Sequence, residues 1–133
     1  YFSGMLVARM PTMNNFGLLL LRLTIGIGLM WHGYDKVLNG GVEGIANMVT
    51  DWGWPIPSLF AWAAGLSELV GGTLLLLGLY TRYAAIPVAV TMGVALIQVH
   101  WGNPFETGGE TALLYLVGSL TFLFCGPGDY AID

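Results

Sequence analysis

Arg22, His32, Lys36, Glu68 and Gln98 are the polar side chains placed to do chemistry in a chain made otherwise of long apolar runs. Arg22 and Glu68 are the formally charged residues well inside those runs. A lone cation near the middle of a spanning helix costs roughly 2.5 to 3.5 kcal/mol on insertion scales, so Arg22 needs a partner and an Arg22–Glu68 ion pair is expected. Counting about 1.5 Å per residue, Arg22 lies about 9 Å from one membrane face and Glu68 about 16 Å from either, a gap that an arginine side chain can close. Such a pair either fixes helix register or serves a ligand, because buried pairs are often dispensable for stability. His32 carries an imidazole, able to donate and accept hydrogen bonds, and lies nearer the far end of the same helix. It could transfer a proton to a ligand at the bundle mouth, or simply bond a carbonyl or headgroup. Lys36 shares the Arg22 side of its helix and so points toward the interior. Gln98 shares a face with Thr91, while His100 points elsewhere unless its helix unwinds at the end. A metal would have to gather His32, His100 and a carboxylate from separate helices, which is a weak case; no metal ligand and no catalytic residue is assigned.

Four spans must position these groups, at about residues 16–34, 58–79, 84–101 and 111–125. In the first, Gly26, Leu29, Gly33 and Lys36 follow Arg22 at helical spacing and form one polar, glycine-rich face. In the second, Ala61, Ala64, Gly65, Gly71 and Gly72 share the broad face of Glu68, so a neighbouring helix can approach closely there. Between these spans Val42, Ile45, Ala46 and Val49 recur opposite Glu43, Asn47 and Thr50, the pattern of a short amphipathic helix at the membrane surface. Trp52, Trp54, Pro55 and Pro57 then mark a membrane boundary. Asn14 or Asn15 is available to cap the first span and Ser58 the second. The leader before residue 16 reads as an interfacial arm without a signal-peptide pattern, and the acidic tail DYAID as solvated. The short turn around Arg82 makes the second and third spans antiparallel neighbours, and Thr107 to Glu110 reads as the start of the fourth.

Composition sets the class. Of 133 residues, 56% are hydrophobic and 9% charged, and the mean hydropathy is +0.72, whereas a soluble domain carries about 25% charged residues. The expected fold is therefore all-α: a single integral membrane four-helix bundle over residues 1–133, with the interfacial helix between spans one and two. A net charge of −4 gives no basic stripe for nucleic acid. Cys125 is the only cysteine, which excludes an internal disulfide or a CxxC redox pair. Four spans put both termini on one side with Arg9 and Arg82, against Lys36 on the other, so the positive-inside rule favours cytoplasmic termini in a bacterial inner membrane.

The run LLRLTIGIGLMWHGYDKV followed by SELVGGTLLLLGLYTRYAA resembles the DoxX family of small four-helix membrane proteins. The resemblance rests on the arginine of the first span, the WHGxxK end of that span, ExxGG in the second and the GLYTR turn; the fourth span matches only in kind. It implies a membrane component of redox systems, with relatives linked to thiosulfate:quinone oxidoreduction or to complexes with sulfurtransferase and superoxide-detoxifying partners. It also implies Arg22, His32, Lys36 and Glu68 as the family-type polar positions.

Two readings follow. In the first, the outward half of the bundle binds a quinone-like or small anionic ligand among Arg22, His32, Lys36, Glu68 and Gln98, and electrons come from a partner subunit or a bound substrate. In the second, the chain is a non-catalytic accessory subunit packed on a larger respiratory or photosynthetic membrane complex, a role its glycine-rich faces and tryptophan-rich loops also suit. A transporter is disfavoured, since no broken helix or inverted repeat is visible.

Overall fold

The computed structural model describes residues 11–106 and 108–133. Its helices are α1 (Pro11–Leu38), α2 (Gly41–Asp51), α3 (Pro57–Leu77), α4 (Thr81–Val99) and α5 (Gly109–Cys125), and the described residues contain no strand. Helices α1, α3 and α4 are long and apolar enough to cross a membrane, and α5 is apolar but shorter at 17 residues. The all-α membrane bundle expected from composition is the fold that forms, with α2 as the short helix between the first two spans.

Close packing of α1 on α3 organises the bundle, and glycine makes it possible. A methyl group on Gly33 would lie 2.3 Å from the backbone nitrogen of Leu69, and one on Gly26 would lie 2.9 Å from the backbone nitrogen of Leu76. With no side chain at these positions the two backbones touch, gaining dispersion that lipid cannot supply. The contacts also fix an antiparallel register, in which residue 33 of α1 is level with 69 of α3, and residue 26 with 76. Gly71 brings α4 close in the same way, against Val88 and the Ala84 carbonyl. Leu29, Leu75, Val88 and Phe122, from four different helices, fill the interior with no exposure.

The helix ends differ from the sequence reading. Asn14 and Asn15 lie within α1, which already includes Pro11, so neither caps it; the interfacial arm expected before them lies, for residues 1–10, outside the described residues. Ser58 does not cap α3 either. Pro57 occupies the first helical turn, where its missing N–H costs nothing, and the cap is Ile56, in the left-handed region at φ 50° with no side-chain bond.

The tail after α5 is docked rather than free. The Arg22 guanidinium donates to the Pro127 carbonyl at 2.8 Å and to the Tyr130 carbonyl, and Asn15 exchanges two hydrogen bonds with Asp129. The backbone N–H groups of Ile132 and Asp133 bond the carbonyls of Leu77 and Gly78 at 3.2 and 2.9 Å, and the Asp133 carboxylate accepts from the N–H groups of Tyr80 and Thr81 at 2.7 and 3.0 Å. One strap thus serves the start of α4, which has no side-chain cap of its own, and adds to the left-handed Gly78 cap that already closes α3 through bonds to the Leu74 and Leu75 carbonyls. Asp129 and Asp133 are exposed, as the solvated reading of the tail expects, yet both also bond to the bundle.

Candidate ligand site beneath the surface helix

Glu68 projects from the middle of α3 into the bundle with 2% exposure. Its partner is Lys36, in the last turn of α1, whose ammonium pairs with the Glu68 carboxylate in the single ion pair among the described residues. Local packing brings Lys36 there. Gly65, one turn from Glu68, meets Lys36 and Val37 so closely that an added methyl would lie 2.9 Å from the Val37 side chain. The lysine stem therefore runs along α3, and the ammonium reaches the carboxylate.

Lys36 is also at one end of a cavity of about 350 Å³. The cavity lies beneath α2, against α3, and along the outer half of α4. Its walls are apolar: Ile45, Met48 and Val49 from α2, Ala63 and Ala64 from α3, and Val90, Val94 and Val99 from α4. Trp52, Trp54 and Phe60 line one side in successive edge-to-face contacts, with ring centroids 5.3 and 5.1 Å apart, an arrangement that suits the quadrupoles of the rings. The polar groups stand at opposite ends. Glu68 is one turn outward of Gly71 and so level with Val90 and Thr91, which places the ion pair at the deep end. His100 closes α4, adopting φ −119° where the helix stops at Val99, and lines the end nearer the surface.

This geometry brings together two of the five residues singled out in the sequence, Lys36 and Glu68. The expected Arg22–Glu68 pair does not form. The packing register puts Arg22 level with Gly78, its guanidinium carbon 3.1 Å from where a Gly78 methyl would be, whereas Glu68 is level with residue 34 of α1. The 12 positions from residue 22 to residue 34 separate the two by about 18 Å along the helix axis. Both are buried, each with 2% exposure, so both do point inward, but Arg22 serves the tail. His32 is exposed on the far side of α1, edge-on to Tyr115 at 5.8 Å. Gln98 is exposed and outside the cavity lining. Among the described residues no three His, Cys, Asp or Glu side chains converge as a metal site would need.

Sequence reasoning underweighted His100 and missed the contribution of α2. The condition under which His100 would turn inward, an unwound helix end, is the one that holds; Gly102 and Pro104 just beyond it are the signal that the helix stops there.

The DoxX family profile matches residues 17–101, which include α1 from residue 17, all of α2 to α4 and every residue of the cavity. A Haemophilus influenzae chain named "Uncharacterized protein" is 35% identical, with 85% of each chain covered. "Putative oxidoreductase CatD" of Bacillus subtilis is 34% identical over 88% of this chain and 84% of its own. "Inner membrane protein YphA" of Escherichia coli is 27% identical over 87% of both. No solved structure matches the chain.

Proposed function

The chain belongs to the DoxX family of membrane proteins, and on that premise we propose that it is a component of a membrane redox system that binds a quinone-like ring in the cavity beneath α2. The observation that carries this reading is Lys36, paired to the buried Glu68, in the lining of a cavity whose other walls are apolar and aromatic apart from Thr91 and His100. A quinone needs flat apolar walls and a hydrogen-bond donor for each carbonyl. The indole and phenyl rings supply the walls, and Lys36 and His100 both line the cavity as donors that a ring carbonyl can meet. The relative named as an oxidoreductase supports redox chemistry. With a single cysteine in the chain, electrons would pass between the ring and a partner subunit or a second substrate.

The ion pair discriminates between the two ligand classes considered from sequence. Glu68 already neutralises Lys36, so a small anion would meet no net positive charge and would have to displace a buried carboxylate. A neutral carbonyl accepts from the ammonium while the pair stays intact. The accessory-subunit reading expects a filled interior, and an aromatic-lined void of this size weighs against it. The bacterial inner membrane, with termini in the cytoplasm, is the setting proposed; the inner-membrane relative and the position of Arg82 support it.

The test is direct titration of a naphthoquinone into the purified protein in lipid nanodiscs, followed by quenching of the tryptophans. Saturable binding weakened about tenfold or more by Glu68→Gln and by Lys36→Met is expected, the loss of one charge-assisted hydrogen bond. Equal affinity in both variants would remove the reading.

A further inference from the structure

The cavity has walls from α2 and α4, yet these helices nowhere approach within 8 Å, Cα to Cα. Among the described helices α2 packs only on α3 and α1, and α4 only on α3 and α5. The space between α2 and α4 is therefore a lateral opening, floored by α3 and edged by Ile45 and Met48 on one side and by Val90 and Val94 on the other. Val90 is 60% exposed and Met48 39%. Because α4 is a membrane span and Val90 lies near its middle, the opening faces hydrocarbon rather than water.

From this we propose that the ligand is a membrane-dissolved ring bearing a hydrocarbon chain, and that it enters sideways between α2 and α4 with its chain left lying across Val90 and Val94 in the lipid. The inference rests on the ring-binding reading above and adds to it the substrate class and the route. Three features fit this occupant together. The rim of the opening is apolar apart from Thr91, whose hydroxyl donates to the Pro87 carbonyl, so a chain lying in it strands no unbonded polar group. The Lys36–Glu68 pair lies level with Val90, so a head that has crossed the rim reaches its donor without travelling along the cavity. The aromatic side of Trp52, Trp54 and Phe60 is at the other margin, where the tryptophans lie at headgroup depth and close the cavity toward water.

The experiment compares two probes in nanodiscs: a naphthoquinone with a long isoprenoid chain, and the same ring carrying methyl alone. Each is titrated into the unaltered protein and into Val90→Trp and Met48→Trp, both at positions that line the mouth of the cavity and are exposed on its outer side. The expected result is that Trp at either position weakens the chain-bearing probe at least about tenfold more than the methyl probe, an overpacking cost of ordinary size; the methyl probe occupies the cavity that both side chains line and so loses some affinity itself. Equal weakening of both probes, or no change in either, overturns the lateral route. If neither probe binds the unaltered protein, it is the ring-binding reading that fails. Circular dichroism and thermal midpoints of the variants identify any loss due to misfolding, and Val90→Phe then replaces a variant that does not fold.

Discussion

Lys36 and Glu68 form an ion pair between α1 and α3 in which the two partners stand in different surroundings: the carboxylate side chain is 2% exposed and the lysine side chain 30%. The carboxylate cannot recover hydration if the lysine leaves. Removing one partner should therefore cost about 3 to 5 kcal/mol, whereas replacing both should cost much less. Denaturation of Lys36→Met, Glu68→Met and the double variant in detergent, combined as a double-mutant cycle, measures this. Additive single and double effects would show that the pair does not couple.

His32 and Gln98 lie outside the cavity, and His100 lines it. His32→Ala and Gln98→Ala should leave naphthoquinone affinity within about twofold, while His100→Ala should weaken it several-fold, about the worth of one neutral hydrogen bond. The same titration in nanodiscs decides between them. A large effect at His32 with none at His100 would move the ligand to the α1–α5 side of the bundle.

The α1–α3 seam predicts a contrast among glycines. Gly33→Ala places a methyl against the Leu69 backbone, which cannot yield as a side chain can, and should destabilise by about 1 to 3 kcal/mol. Gly93→Ala, in α4 with nothing within 4 Å, should instead stabilise by about 0.5 to 1 kcal/mol. Unfolding of both variants in one detergent gives the comparison, and a destabilised Gly93→Ala would contradict the packing described.

The strap gives a pH dependence whose sign is fixed. Hydrogen bonding from the Thr81 N–H first, then from Tyr80, with the Arg22 charge nearby, holds the Asp133 carboxyl below its ordinary range, against a smaller opposing effect of desolvation. The docked form thus prefers the ionised acid. Its contribution is fully present above the unperturbed value of about 3.9 and is lost as the pH falls from there through the lowered docked value. Amide NMR shifts of Tyr80 and Thr81 should move through this window and lose the response in Asp133→Asn. An unchanged titration in that variant would mean another acid controls it.

Much of the architecture was legible because membrane insertion imposes a strong pattern. Four apolar runs, the alternating faces of Val42 to Val49 and the glycines around Glu68 gave the helices and the tight seam. The ion pair was misassigned because sequence gives depth along each span only relative to its own ends. With α1 extending to Pro11 and Leu38, and α3 ending at Leu77, Arg22 is level with the end of α3, and Lys36 is the cation within reach of Glu68. Side-chain direction at a helix end is equally local, which is why His100 and Gln98 exchanged the roles their helical phase assigned. The docking of an acidic tail has no periodic signal; the only hint is that no Ser, Thr, Asp or Asn immediately precedes α4, which starts after Tyr80 without a side-chain cap.

That distant service has a bearing on biogenesis. The acceptor for the Tyr80 and Thr81 amides is a side chain 53 and 52 positions later in the chain. At ribosomal speeds of about 5 to 20 residues per second, the α3–α4 corner waits roughly 3 to 10 s after its own synthesis for that acid to emerge. Throughout that interval the nascent hairpin sits in the bilayer with its corner amides served by water or the insertion machinery, so the bundle is fastened in its final form only after its fourth apolar helix has been delivered.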